Sequence, residues 1–252
     1  MARQKGIIKL EGTIGDVSFY KSKDGYLARE KGGVDGDRIK NDPAFQRTRE
    51  NGSEFGRAGS SGRIIRNALR LLIQNASDPR VTSRLTKEVL KVIKSDSSNA
   101  RGERDLSILE GFDFNVNGKL STTMFAAYST AVDRAAGSLT VSVPAFIPGN
   151  TIAFPQGATH MKVLVGAAEI DFENESFQFG QAESPEIVLG QGEVAQLDLV
   201  TNVTANTELD LFLVLGLDFL QEVNGVMYPM KNGSYNPLTI VEVDRFVAPD
   251  PS

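Results

Sequence analysis

The sequence predicts an α+β protein with three segments. These are an N-terminal β-hairpin arm (residues 1–36), a basic helical segment (37–111) and an acidic C-terminal domain (112–252), an antiparallel β-sandwich of jelly-roll or immunoglobulin-like type. Three observations predict this. The middle of the chain has the hydrophobic spacing of helices, the stretch after residue 112 alternates with period 2 between close turns, and the sign of the charge changes between the two.

The charge asymmetry is large. Residues 1–104 contain 22 of the 27 Lys and Arg residues and 13 of the 32 Asp and Glu residues, a net charge of +9. Residues 105–252 carry −14, which gives the chain its net charge of −5. Such asymmetry is typical of proteins with a nucleic-acid or membrane partner, and it also suits a protein whose front meets the back of an identical copy.

Composition excludes several classes of site. The chain has no cysteine and one histidine, so disulfides, cysteine nucleophiles, thiolate metal sites and multi-histidine metal sites are excluded. No apolar run approaches the roughly 20 residues of a membrane span, and no segment near the N-terminus resembles a signal-peptide core of about 7–15 residues. We expect no membrane partner, and a protein that is cytoplasmic or released in an assembled particle without a cleaved signal peptide.

The arm is predicted to contain short strands at Gly6–Gly12, Asp16–Ser22 and Tyr26–Glu30. A tight turn precedes the third strand, and a flexible break follows at Gly32–Gly36. Three short strands are not stable alone, so the arm must pack against its own chain or against another subunit. The side chains expected to make this contact are Ile7, Ile8, Leu10, Phe19, Tyr20 and Tyr26.

The helical segment starts at Asp42, a helix cap followed by Pro43. Glycines at 52, 56, 59 and 62 each cost about 1 kcal/mol in a helix interior, so the first helix is expected to end near Ala58 with a break at Gly59–Gly62. A second helix is predicted at Arg63–Asn75.

A third helix is predicted to open at Asp78 and to pack through an apolar stripe that contains Val81, Leu85 and Val89. A polar loop at Ser95–Arg104 and one helical turn at Asp105–Glu110 are expected to follow it. The basic side chains of the segment are candidates for phosphate contacts, or for contacts with the protein's own acidic half. They are Arg47, Arg49, Arg63, Arg66, Arg70, Arg84, Lys87 and Lys91.

The acidic domain contains ten candidate strands. Leu209–Leu220 is apolar on both parities, which predicts a central strand covered on both faces. The strands are predicted at Phe112–Val116, Ala126–Asp133, Ser138–Val143, His160–Phe172, Phe177–Phe179, Glu186–Leu189, Glu193–Val200, Glu208–Gln221, Gly225–Tyr228 and Leu238–Phe246.

No enzyme motif appears in the chain, and we expect no catalytic residue, cofactor site or dedicated metal site. His160 begins a candidate strand and is expected to be a strand-edge residue. Glu169 and Asp171 share one face of a strand, as catalytic or metal-binding carboxylates do, but on an acidic domain the expected role is a solvated acidic face. A weak structural Ca²⁺ or Mg²⁺ site is the alternative.

Several blocks of the chain resemble a family of bacterial proteins of no known activity. They are Gly6–Tyr20, Asp24–Gly33, Asp42–Asn51, Leu109–Asn115 and Gln221–Tyr228, so the resemblance extends over most of the chain. It implies a bacterial, phage-like origin and brings no site residues with it.

Two functions are consistent with these patterns. The first is a non-enzymatic structural subunit that self-assembles head-to-tail into a filament, tube or phage-like particle, because a basic front, an acidic back and a small arm suit contacts between copies. The alternative is non-specific binding of nucleic acid by the basic helices.

Overall fold

The computed structural model describes residues 2–30, 34, 36–96 and 105–246. The chain divides into two compact units, an N-terminal unit, Met1–Ser53, and a C-terminal unit, Glu54–Ser252. Most of the predicted break at Gly32–Gly36 and of the predicted loop at Ser95–Arg104 lies outside the described residues.

The N-terminal unit contains a four-stranded antiparallel sheet in the order β1-β4-β3-β2. Its strands are β1 Ala2–Arg3, β2 Gly12–Ile14, β3 Val17–Ser22 and β4 Gly25–Glu30. The hairpin of β3 and β4 is confirmed. The strand predicted at Gly6–Gly12 is wrong, because the side-chain amide of Gln4 accepts from the Leu10 N–H at 2.8 Å and donates to the Leu10 carbonyl at 3.2 Å. The Leu10 N–H and carbonyl would otherwise be free to pair with a neighbouring strand, and residues 6–11 form no strand.

Helix α1 (Gly36–Asn41), a 3₁₀ helix (Pro43–Phe45) and helix α2 (Gln46–Ala68) follow. The predicted cap is confirmed, since the Asp42 carboxylate accepts from the Ala44 N–H at 2.9 Å. The predicted break at Gly59–Gly62 is wrong, because α2 continues through it. Ala58, Ile64 and Ile65 of α2 are buried, and burial of an Ile side chain contributes about 1.5–3 kcal/mol, which offsets the helix propensity lost at glycine.

The C-terminal unit contains the end of α2, the short helix α3 (Arg70–Ile73) and helix α4 (Val81–Asp96). The predicted second helix is therefore divided at Leu69, whose backbone (φ −92°, ψ 12°) leaves the helical region. The start of α4 is confirmed, since the Asp78 carboxylate accepts from the Arg80 N–H at 2.6 Å. The predicted turn after residue 104 is the 3₁₀ helix Leu106–Leu109.

Among the described residues of the C-terminal unit the strands pair antiparallel and form two sheets. The strand predicted at Phe112–Val116 is reduced to one bridge, Asp113 to Thr239, and the other predicted strands are confirmed within a few residues. The strands and short helices are α5 Leu120–Thr123, β5 Ser129–Asp133, β6 Ser138–Val143, α6 Pro148–Thr151, β7 His160–Asp171, β8 Ser176–Glu183, β9 Ile187–Val188, β10 Leu197–Asn202, β11 Asp210–Val223, β12 Val226–Pro229 and β13 Leu238–Asp244.

One sheet has the order β10-β6-β5, and the other has the order β12-β11-β7-β8, with β13 also on β11 and β9 on β7. Strand β11 is central and buried on both faces, as predicted. Leu211, Leu213 and Leu215 belong to the core between the two sheets, whereas Phe212 and Val214 belong to the core under the helices. The C-terminal unit therefore has three layers: helices, the large sheet and the small sheet. An α+β fold with a sandwich-like pair of sheets is confirmed.

The helical layer meets the large sheet at a glycine. A Cβ atom on Gly166 of β7 would stand 2.6 Å from the Leu72 Cδ1 atom of α3 and 3.0 Å from Phe179 on β8. The missing side chain thus leaves room for α3 to approach the sheet. No helix among the described residues is both long enough and apolar enough to cross a membrane.

Candidate functional site

One face of the N-terminal sheet carries a cluster of apolar side chains. The register places Phe19 opposite Ala28, Val17 opposite Ile14, and Tyr26 opposite Lys21. Because opposed residues of antiparallel strands point to the same side, these apolar side chains lie together. We call Ile14, Val17, Phe19, Tyr26 and Ala28 the apolar arm face; two charged residues, Lys21 and Glu30, lie on the same side of the sheet. The other side of the sheet carries Thr13, Ser18, Tyr20, Leu27 and Arg29.

No residue of the N-terminal unit is buried within its described positions (2–30, 34 and 36–53). On the apolar arm face Ile14 is 64% exposed and Val17 is 37% exposed. By contrast, many strand residues of the C-terminal unit are fully buried. The apolar arm face therefore consists of apolar side chains that stay partly or largely exposed to solvent.

The six predicted arm residues are only partly brought together. Phe19 and Tyr26 share the apolar arm face, and Tyr20 lies on the other side of the sheet. Ile7, Ile8 and Leu10 are exposed in the loop before β2. Basic groups border the apolar arm face, since the Nζ atoms of Lys9 and Lys21 lie 5.9 and 5.6 Å from the centre of the Tyr26 ring.

Five of the predicted basic residues lie on the solvent side of the helical layer, and we call them the basic helical face: Arg63, Arg66, Arg70, Lys87 and Lys91. Two of them have carboxylate partners. An Nη atom of Arg63 lies 2.8 Å from Glu175, and the Nζ atom of Lys91 lies 2.5 Å from Glu88. Within the described part of the chain, Arg70 and Lys87 pair with no carboxylate.

Arg66 is the most constrained member of this face. Its Nη1 atom is buried and has no hydrogen-bond partner among the described residues. Burial, with a smaller contribution from the neighbouring guanidinium of Arg63, lowers the pKa of Arg66. The face thus has an excess of positive charge that its own carboxylates do not balance.

Arg84, in contrast, has a structural role. It pairs with the buried carboxylate of Asp78 and donates to the carbonyl oxygens of Asp113 at 2.7 Å and Phe114 at 3.0 Å. Burial alone would raise the pKa of Asp78. The hydrogen bonds from the Val116 and Arg80 N–H groups and from Arg84 together outweigh this effect, so the pKa is lowered. Arg84 therefore ties α4 to the segment that follows the 3₁₀ helix.

The remaining two predicted cations lie in the N-terminal unit. Arg49 donates to the carbonyl oxygens of Ile39 at 2.7 Å and Asp42 at 2.9 Å, which secures the start of α2. Arg47 is exposed on the same helix.

The solvent side of the small sheet is acidic, and sequence reasoning missed it. Register places Asp133, Ser138 and Asn202 in one row, and Ser129, Ser142 and Asp198 in another. The row between them is Ala131, Thr140 and Val200. We call these nine residues the acidic sandwich face, because they include two carboxylates and no Lys or Arg. The alternation at Ser138–Val143 indicates which of these residues point to solvent. The strands that pair with it on either side could not be inferred from the spacing.

Asp198 is held in its ionised form. Hydrogen bonds from the Ser142 hydroxyl and the Gln196 amide lower the pKa of this exposed carboxyl group. The Gln196 Nε2 atom lies 3.0 Å from the Asp198 carboxylate. The acidic sandwich face is therefore negatively charged at neutral pH.

The carboxylate pair on β7 is divided between two structural roles. The expected solvated face is wrong for Glu169, which is buried and accepts from the Thr207 hydroxyl at 2.6 Å and the Thr204 N–H at 3.0 Å. Asp171 is half-buried and accepts from the Glu173 and Asn174 N–H groups of the following turn. Among the described residues, no group of three or more His, Asp or Glu side chains could hold a metal ion.

His160 begins β7, as predicted, and its Nδ1 atom lies 2.9 Å from the Thr159 hydroxyl.

Three surface features are candidates for function: the apolar arm face, the basic helical face and the acidic sandwich face. Comparison of the chain with protein-family models, with curated proteins and with solved structures gave no match.

Proposed function

We propose that this protein is a non-enzymatic structural subunit that self-assembles head-to-tail into a filament, tube or phage-like particle. The observation that carries the proposal is the apolar arm face, a strand-paired apolar surface in a unit without a buried described residue. A sheet of this size gains stability when its hydrophobic face is covered. In this proposal the cover is a second copy of the protein, and the assembly forms in the cytoplasm or is released as a particle.

The contact is expected to be heterologous. The apolar arm face lies in residues 1–53 and has two lysines, Lys9 and Lys21, and one carboxylate, Glu30, beside it, whereas residues 105–252 carry a net charge of −14. A surface that binds a different surface on the next copy generates rings, filaments or tubes, and opposite charge gives such a contact its orientation. Burial of the exposed parts of Ile14 and Val17 would contribute roughly 1.5–3 kcal/mol, against association costs of about 4–15 kcal/mol, so charge attraction and other contacts have to supply the remainder.

Light scattering and negative-stain electron microscopy test the proposal on the full chain. We expect the wild type to form extended assemblies, and Ile14→Lys to raise the critical concentration by roughly 30-fold, the equivalent of about 2 kcal/mol of lost burial. Thr13→Lys is the matched control, since Thr13 is exposed on the opposite side of the same strand. A wild-type protein that stays monomeric at high concentration and low salt contradicts the proposal.

A second candidate function is non-specific nucleic-acid binding by the basic helical face. The exposure of Arg70 and Lys87 without a carboxylate partner among the described residues supports it. The contacts of Arg49 and Arg84 with backbone carbonyls leave those two cations little role in it. Fluorescence anisotropy with a generic DNA duplex at increasing salt tests this function, because phosphate contacts weaken steeply with salt.

A further inference from the structure

We propose that the basic helical face of one copy binds the acidic sandwich face of the next copy. This inference rests on the function proposed above and names a second contact of the head-to-tail assembly. Its occupant is the protein itself, chosen by charge and by the arrangement of the layers.

The two faces point in opposite directions within one unit. The buried side chains of α2 and α4 share a core with one side of the large sheet, and the small sheet covers the other side. The exposed sides of the helices and of the small sheet are therefore the two outer surfaces of a three-layer unit. Contact between such opposed surfaces of successive copies repeats without closing a dimer.

The charges of the two faces are complementary. The basic helical face has five cations, two of which pair with Glu175 and Glu88. The acidic sandwich face has two carboxylates, Asp133 and Asp198, and no cation. Arg70 and Lys87 are the exposed members of the basic helical face that have no ion pair among the described residues, and they are the cations that the proposal places against Asp133 and Asp198.

The two carboxylates of the acidic sandwich face are separated from each other. Asp133 and Asp198 are two strands and four residues apart in the small sheet, which corresponds to roughly 16 Å. Arg70 of α3 and Lys87 of α4 lie on different helices, so in the proposed contact each carboxylate has its own cation as counterpart.

The acidic sandwich face has no bulky side chains. Apart from the carboxylates, its side chains are Ser, Thr, Ala, Asn and Val, which leave room for long Arg and Lys side chains. Val200, which is exposed in the middle row, offers an apolar contact to the aliphatic parts of those side chains.

A charge exchange between copies tests the contact. One variant is Asp133→Lys with Asp198→Lys, and the other is Arg70→Glu with Lys87→Glu. Each variant alone places like charges across the contact, so we expect its critical concentration for assembly to rise at least about tenfold. An equimolar mixture restores opposite charges at every contact and is expected to assemble within about twofold of the wild type.

Two further variants keep the test decisive. Two single variants, Asp198→Lys and Lys87→Glu, repeat the charge exchange alone and in an equimolar mixture. Their side chains make no described hydrogen bond to the backbone. Lys119→Glu with Glu186→Lys is the control, because both residues are exposed outside the two faces, and it should assemble like the wild type.

The outcomes separate this inference from the proposed function. A wild-type protein that does not assemble overturns both. If Ile14→Lys blocks assembly but the charge-reversed variants assemble normally alone, or if their mixture fails to recover while both melt like the wild type, only the present inference falls. Loss of generic DNA binding in Arg70→Glu with Lys87→Glu, with assembly intact, assigns the basic helical face to nucleic acid and overturns the inference as well.

Discussion

Substitution of Arg84 by Met should destabilise the C-terminal unit strongly. The change removes the charge partner of Asp78, whose side chain is 2% exposed, and keeps most of the aliphatic volume of the arginine. It also removes the hydrogen bonds to the carbonyl oxygens of Asp113 and Phe114. The Arg80 and Val116 N–H groups still donate to the carboxylate, so its charge is only partly uncompensated.

The magnitude follows from these contacts. Loss of one partner of a buried ion pair costs about 3–5 kcal/mol, and water that reaches the 29% exposed Arg84 side chain moderates the loss. We therefore expect the free energy of unfolding to fall by about 3 kcal/mol. Arg63→Met is the matched control. Its pair with Glu175 is exposed on both sides (55% and 51%), so the loss should stay below about 1 kcal/mol.

Urea denaturation followed by circular dichroism measures both variants. The linear extrapolation should give equal slopes and a lower midpoint for Arg84→Met. The difference from the wild type should shrink in acid, because the pKa of Asp78 is lowered in the folded state and its stabilising contribution is lost as pH falls through that value. An Arg84→Met variant within 1 kcal/mol of the wild type, or an equal loss in Arg63→Met, would refute the structural role of Arg84.

Three other perturbations have defined outcomes. Burial raises the pKa of Asp218 in the folded state, so the protonated side chain favours folding in acid and this stabilisation is lost as pH rises above about 4. Asp218→Asn, which stays neutral, should therefore raise the Tm at pH 7, and the gain should vanish in acid. Gly166→Ala should cost about 1–3 kcal/mol in urea because its Cβ would meet Leu72, whereas Gly192→Ala, which meets nothing within 4 Å, should be neutral. Glu169→Gln should cost about 1–3 kcal/mol at neutral pH, measured by calorimetry, because an amide N–H₂ would face the Thr207 or Thr204 donor.

Local chemistry predicted much of the fold. Ser138–Val143 forms a strand with the predicted bounds, since alternation between a core and a solvent side is written in six consecutive residues. Asp42 and Asp78 cap as expected, because a cap depends on a side chain and N–H groups two residues away. The two-sided burial of Leu209–Leu220 was evident from apolar residues on both parities.

Distant contacts decided what the sequence could not. The break expected at Gly59–Gly62 does not form, because burial against other elements stabilises that part of α2. The side-chain amide of Gln4 diverts Leu10 from a strand, a contact that no periodicity reports. The acidic sandwich face depends on Asp198 meeting Ser142 in register across 56 residues, and such pairing is set by the closure of the whole sandwich.

Strand β11 has a consequence for how the C-terminal unit melts. Leu213 and Val214 are neighbours in the chain, yet one belongs to the core between the sheets and the other to the core beneath the helices. Loosening either core releases the backbone that the other one needs, so neither layer can open while its counterpart stays intact. Residues 54–252 should therefore behave as one cooperative block, in which damage to the helices is felt at the far sheet.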